Sequence, residues 1–371
     1  MLRFKPFARF IFFSLLSIFT LTFSACKNKV DVNSIQVDAG FSSYISAFTS
    51  GVVSNRSTVK VVLLEPYSGA EIGQLIDKDL FDFSPSLDGQ AYWLDEQTIE
   101  FRPNAKLPSG ETFVVEFALD KLMAVPESFE TLTFGFVVIS QSIFVNFEGL
   151  KTIDKKDFSK QELFGSVRTS DVADPTEIEQ CLKAEQDGNA LELVWEHDEN
   201  GKSHRYTVLN VSRGEDESFV ELSWNGEAIG ADVEDDLEVR IPPIGEFSLI
   251  QASTQRSPSL HFSLQFSDPV STSQDLTGLI YLQSGKKLRL MVKDNEVKAY
   301  PVDKLNSEET VVIEQSVKNA LGTQLQEQYR RVVQFNLEKP AVELLGSGVI
   351  MPSNGGLNFP LYVINIYEVI V

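Results

Sequence analysis

Only three histidines occur in this 371-residue chain, and two of them, His197 and His204, flank an Asn200-Gly201 pair with Asp198 and Glu199 between. Asn-Gly is a strong two-residue hairpin signal. A hairpin there brings the two imidazoles toward each other, the arrangement a surface metal site needs. The plainer reading is a pair of solvated polar residues at a hairpin tip, and it is the favoured one. His261 alternates with Phe262 in an expected strand, with no base or nucleophile placed beside it. No GxSxG, HExxH, phosphate-loop or dinucleotide fingerprint is present. The acid-rich EDDLE and GEDESF runs lack calcium-loop spacing and its glycine, so they read as charged turn tips. Cys181 and Gln186 are five apart, without the compact Cys-Gly-Glu-Gln arrangement of a thioester. On the helix expected over residues 175–186 they also face different ways. No residue is assigned a catalytic, metal-binding or cofactor-binding role, no cofactor is expected, and the chain reads as a non-enzyme.

The other chemistry-bearing residue is Cys26. Arg3, Lys5 and Arg9 precede an apolar run from Phe10 to Phe23, about fourteen residues, shorter than a span but the length of a signal-peptide core. Ser24 and Ala25 are small, and Cys26 follows at once. This segment resembles the lipobox of bacterial lipoproteins, with Phe23 in place of the usual Leu. The resemblance implies cleavage between Ala25 and Cys26 and acylation of Cys26 by a diacylglyceryl group and an amide-linked chain. Two or more chains hold a protein durably to a bilayer, where one holds it marginally. Residues 1–25 are therefore expected to be a signal peptide and Cys26 a membrane tether. The default location is the outer membrane facing the periplasm, with the cell surface as the alternative.

Cys181 is then the last thiol, so no intramolecular disulfide can form and packing alone must hold the exported chain. The composition allows it: 43% hydrophobic residues, with 27 Phe, describe a packed chain. Loss of residues 1–25 removes three positive charges and takes the formal charge from −21 to −24. Such a chain repels phosphate backbones, so nucleic acid is not an expected partner.

Residues 26–55 read as a tether with a short helix near Phe41–Phe48. From Thr58 the texture is β: TVKVVLLEP, AYWLDEQTIEFRP, ETFVVEFAL and LTFGFVVIS are β-branched and aromatic runs split by Gly, Pro and Asp turns. An antiparallel sandwich is expected over 56–140. At a constant offset of 198, residues 99–116 lie over 297–314, and Pro103, Lys106, Leu107, Ser109, Glu111, Thr112, Val114 and Glu116 each meet an identical residue. A second sandwich, a repeat of the first, is thus expected over 251–338. Between them, 141–250 reads as a β-rich module with one helix at 175–186. Asp174 stands where it can cap that helix, Pro175 suits its first turn and Glu177 the capping box. Ile178, Cys181 and Leu182 share a face, so Cys181 is a buried small hydrophobe. Hairpins follow at Asn200-Gly201 and Asn225-Gly226.

In order, AYWLDEQTIEFRPNAKLPSGET, TSDVADPTEIEQCLKAEQ, VWEHDENGKSHRYTV, ELSWNGEAIG, FSDPVSTSQDLTGLI, SVKNALGTQL and PAVELLGSGVIMPSNGGLNFPLYVIN resemble the N-terminal region of bacterial alpha-2-macroglobulin-like lipoproteins of the Bacteroidetes type. The resemblance spans nearly all of 56–371. It implies a mainly β chain of serial immunoglobulin-like modules on a lipid anchor, followed by macroglobulin domains, a protease bait and in many members a thioester domain. The implied function is protease trapping in defence of the envelope, with proteases met through regions absent here. Residues 339–371 would begin a macroglobulin domain, and the run from Phe359 to Val371 is expected to be a strand lacking its partners. The alternative is a short anchored β-sandwich lipoprotein whose loops, such as 67–79 or 120–130, hold a glycan or peptide.

Overall fold

The computed structural model describes residues 35–334, except 155, 256–258 and 306–307, together with the backbone of 341–344, 350–352 and 361–364. The segments read as signal peptide and lipid attachment, Ala25 and Cys26 included, lie outside the described residues. Among the described residues no helix is long and apolar enough to cross a membrane.

The first sandwich uses β1 (Ile45–Thr49), β2 (Gly51–Val53), β3 (Val59–Leu63), β4 (Phe81–Ser84), β5 (Gly89–Trp93), β6 (Thr98–Pro103), β7 (Thr112–Ala118) and β8 (Thr131–Val138). One sheet runs β1-β3-β6-β5 and the other β8-β7-β4, with β2 joining β8 in parallel. In chain order this is the A-B-E-D against C-F-G arrangement of an immunoglobulin constant-type sandwich. Alternation drives it: Val59, Val61 and Leu63 point inward from β3, and Phe113, Val115 and Phe117 from β7. Phe83 and Phe101 meet across the sheets with ring centroids 4.6 Å apart.

The third sandwich repeats that order with β17 (Leu249–Gln255), β18 (His261–Phe266), β19 (Ile280–Leu282), β20 (Leu288–Lys293), β21 (Glu296–Pro301), β22 (Glu308–Ile313) and β23 (Tyr329–Gln334). Its sheets are β17-β18-β21-β20 and β19-β22-β23. The 198-residue offset that aligns residues 99–116 with 297–314 carries β6 onto β21 and β8 onto the start of β23. The middle sandwich comprises β9 (Ile143–Asp154), β10 (Asp157–Thr169), α1 (Pro175–Cys181), β11 (Leu182–Gln186), β12 (Asn189–Ala190), β13 (Leu193–His197), β14 (Ser203–Ser212), β15 (Ser218–Asn225) and β16 (Glu234–Ile241). Its sheets, β13-β14-β10-β9 and β12-β11-β15-β16, have the same immunoglobulin-like order with one added strand, β12. The chain is mainly β, a series of three immunoglobulin-like sandwiches. Beyond them, β24 (Ala341–Leu344) pairs with β26 (Leu361–Ile364), and β25 (Ile350–Pro352) lies along the edge of β1.

Several expectations change. The tether reading of 26–55 ran too far: Ile45–Thr49 is the edge strand of the first sandwich and pairs with β3, because Ile45 and Ala47 are needed in its core. The expected helix there is a 3-10 turn, Ala39–Ser43, capped by Asp38. The helix expected to reach Gln186 stops at Cys181. Leu182, Ala184 and Gln186 instead alternate inward on β11 and register with Trp224, Leu222 and Val220 of β15, a ladder worth more than one further helical turn. Asn225-Gly226 is no two-residue hairpin. The strands part there for a 3-10 turn, Glu227–Ile229, that lets Ile229 bury beside α1. The strand expected to lack partners near the end pairs at Leu361–Ile364 with β24.

Candidate functional site

Three sandwiches in series have two junctions, and the buried polar residues outside the cores concentrate there. At the first, Asp171 sits in the loop between β10 and α1 and is 1% exposed. Its Oδ2 accepts from the Asn55 backbone N–H at 2.6 Å and from Ser54 Oγ at 3.0 Å, both in the first sandwich. Its Oδ1 accepts from the Val172 N–H at 2.8 Å. Gln141, in the connection itself, accepts from the Asp171 N–H and donates to its carbonyl, and Thr169 Oγ1 donates to that same carbonyl at 2.7 Å. A buried carboxylate so surrounded is satisfied only while the two sandwiches keep their relative placement.

A solvent-exposed ring of charge surrounds this clamp. Arg56 and Lys106 of the first sandwich reach Asp174 at 2.5 Å each, and Lys106 also reaches Glu177 at 2.6 Å. The Lys106 hydrogen bond, ahead of the one from Arg56, holds Asp174 below its ordinary value. Burial alone would lower Lys106, but its bonds to Asp174 and Glu177 outweigh that and raise it. Asp174 and Glu177, expected to cap α1, therefore serve the junction, and Asp174 makes no side-chain cap bond. Pro175 does occupy the first turn as expected. Exposed pairs like these contribute little stability, so the buried Asp171 dominates.

The hairpin of β13 and β14 buttresses the loop from behind. The Gly201 carbonyl accepts from the Ala173 N–H at 2.9 Å and the Lys202 carbonyl from the Thr169 N–H at 3.0 Å. Lys202 Nζ donates to the Ser170 carbonyl and stands 3.8 Å from Asp171 Oδ1. Gly201 has φ +63°, and a Cβ there would press on Val172, which is why the turn wants glycine.

His197 and His204 form the last pair before that turn, with Nδ1 atoms 2.9 Å apart. The tip is not solvated as expected: His204 is 0% exposed, with Nε2 buried and lacking a hydrogen-bond partner. His197 Nε2 lies 3.2 Å from Glu179 Oε1 on α1. Burial, then the charge of His197, pushes His204 below its ordinary value. Among the described residues no three His, Cys, Asp or Glu converge as a metal set. His261 is buried too; its Nδ1 lies 2.8 Å from the Ser259 carbonyl, and its ring stacks on Tyr300. Cys181 is buried beside Ile178, and burial raises its thiol, which leaves it unreactive at neutral pH.

The second junction centres on Arg213, just after β14, and Asp268, just after β18, an ion pair whose side chains are each 1% exposed. Arg213 also donates to the carbonyls of Pro242, Pro243 and Glu246, and Asn319 donates to Asp268 Oδ2 at 3.0 Å. Alongside, Asn295 exchanges bonds with Thr152, and Gln161 Nε2 donates to the Ser267 carbonyl at 2.6 Å. β18 also meets β9, where Gln265 lies against Gly149, and all six of its residues are buried. Reading the sequence module by module missed Asp171, Arg213 and Asp268. Each lies just past the end of a strand but away in the chain from a module boundary, so no sequence signal marks them as junction residues.

No protein-family model matches this sequence, and no curated protein does. Among solved structures, the mouse nectin-like molecule 4 ectodomain (Ig1–Ig3) is similar at 13% identity, covering 77% of this chain and 98% of that one, with a TM-score of 0.24. A Bacteroides ovatus protein, SGBP-B of the mixed-linkage glucan utilization locus, solved with a mixed-linkage heptasaccharide, is similar at 11% identity over 81% of this chain and 67% of that one, with a TM-score of 0.23. The N-terminal eight Ig domains of Down Syndrome Cell Adhesion Molecule align at 8% identity over 79% and 55% of the two chains, with a TM-score of 0.17. Scores this low add nothing to the strand order described above.

Proposed function

We propose that this chain is a stiff, lipid-anchored spacer, the N-terminal stalk of an alpha-2-macroglobulin-like protease inhibitor. The observation that carries the spacer is the pair of junctions closed by buried polar groups, Asp171 in one and Arg213 with Asp268 in the other. Flexible tandem modules leave such groups to water, and burying them is costly unless each is paired. Stiffness is useful to a protein that must hold something at a set distance from a bilayer. The anchor at Cys26 and the trap beyond the stalk are supported by the sequence resemblance. An antibody to residues 51–140 tests the trap in the membrane fraction of cells that make the protein. A band several times the 41.4 kDa of this chain is the expected result, while one near that mass would overturn the trap and leave the spacer. Cys26→Ser should move the protein out of the membrane fraction, and its retention there would remove the anchor.

A second reading, binding of a glycan or peptide, has one observation in its favour. In the 67–79 segment, Ile72 and Leu75 bridge to the edge strand β5 while their side chains stay 61% and 51% exposed. Capture of an envelope glycan or peptide by the purified chain, lost on Ile72→Asp with Leu75→Asp, would support it.

A further inference from the structure

We propose that the first junction is an acid-released hinge, in which protonation of the His197–His204 pair loosens the hairpin tip that holds the Asp171 loop against the first sandwich. The inference rests on the spacer reading and adds a control to it. The hydrogen-bond network assigns the tautomers. With His197 Nε2 donating to Glu179, its Nδ1 accepts, and His204 Nδ1 must be the donor. That leaves the bare lone pair of His204 Nε2 facing the interior, a tolerable orphan. An added proton has no good place. On His197 Nδ1 it sets two N–H groups against each other at 2.9 Å. If His204 turns acceptor to avoid that, its own hydrogen moves to Nε2, which makes no hydrogen bond in the structure, and the Gly201 backbone favours charge on this ring less than burial and His197 oppose it. A second proton sets two cations side by side.

The groups facing the pair do little to relieve this. Glu179 on α1 touches only His197, and Asp198 in the turn attracts charge on His204 less than burial and His197 oppose it. Arg205, beside His204 on β14, is exposed and pairs with Glu196 of β13, and Arg168, beside it on β10, is exposed as well. Lys202 adds a further positive charge near Asp171.

The pair stands at the neck of the hairpin, and the tip beyond it consists of the residues that hold the loop: Gly201 on Ala173, and Lys202 on Thr169 and Ser170. Prying the neck apart withdraws that support. The Asp171 carboxylate, which has Ser54 and Asn55 as partners across the junction, then loses its fixed position. The core of the first sandwich does not depend on the hairpin.

Hydrogen exchange of the full chain, read in peptides covering Ser54–Asn55 and Thr169–Asp174 and corrected for the chemical rate at each pH, tests this. Between about pH 7.5 and 5.5, a window spanning the ordinary histidine range, protection there should fall by about tenfold or more, while β3 and β7 keep theirs. His197→Phe with His204→Phe, an aromatic cross-strand pair that cannot titrate, should keep the junction protected at both pH values. If that variant fails to fold, His197→Asn alone, which removes the N–H against N–H conflict, should shrink the loss between the two pH values. Equal protection at both pH values in the unaltered chain overturns the hinge, as does a loss shared by β3 and β7. A junction already unprotected at pH 7.5 overturns the spacer reading instead.

Discussion

Asp171 shows how one side chain can couple two modules. It is a carboxylate with almost no solvent, held by a backbone N–H and a hydroxyl of the preceding sandwich. Asp171→Ala strips the Asn55 N–H of its acceptor in a buried place, at a cost of about 1–3 kcal/mol. Denaturant melts should show the loss, and exchange at Asn55 should rise well before the core strands respond. His204 gives a pH prediction at the same scale. Its folded value is depressed by burial and by His197, so the unfolded chain binds the proton more readily. Stability is therefore intact above the ordinary histidine value of 6.5 and falls as pH drops below it. The decline attributable to His204 ends once its depressed folded value is passed. Melts of the unaltered chain and of the double Phe variant should diverge as pH falls below 6.5.

At the scale of elements, close strand approaches and the second clamp make the sharpest demands. β9, β10 and β14 meet at Gly165, where a Cβ would strike the Asn146 carbonyl and the Tyr206 ring. Tyr206 in turn donates its hydroxyl to that carbonyl at 3.1 Å, and burial drives its acidity far down. Gly165→Ala should destabilise the middle sandwich by about 1–3 kcal/mol, the usual range for overpacking, visible as a lowered melting midpoint. Arg213→Ala leaves Asp268 buried with Asn319 alone and strands three carbonyls. Removing one partner of a buried pair costs about 3–5 kcal/mol. The damage should spread to both sandwiches that meet there, which exchange in β14 and β18 would report.

At the scale of the molecule, each sandwich has its own core, and the polar junctions decide whether the three behave as one. Phe113→Ala, about 3–5 kcal/mol by cavity formation, should weaken the first sandwich most, since its ring packs on Phe83 and Phe136 there. Small-angle scattering of the full chain at neutral pH should fit a single arrangement of the described modules. A broad distribution of inter-module angles would contradict the stiff spacer.

Much of this was legible in residue order. Alternation in TVKVVL and ETFVVEF put the strands in place because each inward residue must be apolar when a sheet has one wet face. The offset of 198 between residues 99–116 and 297–314 disclosed the repeated sandwich, since equal strand spacing folds to equal topology. Asn200-Gly201 placed its hairpin because Gly201 takes the positive φ the turn needs, although the turn runs from Asp198 to Lys202 and is not the two-residue form. Other features were decided by contacts distant in sequence. Ile45–Thr49 became a strand because the first sandwich lacked an edge, and the helix stopped at Cys181 because β15 offered Leu182–Gln186 a ladder. The burial of His204, the clamp at Asp171 and the Arg213–Asp268 pair belong to surfaces that exist only once separate modules or elements meet. Periodicity is local and determined the modules; the polar junctions depend on how folded modules pack, and only the tertiary structure decided those.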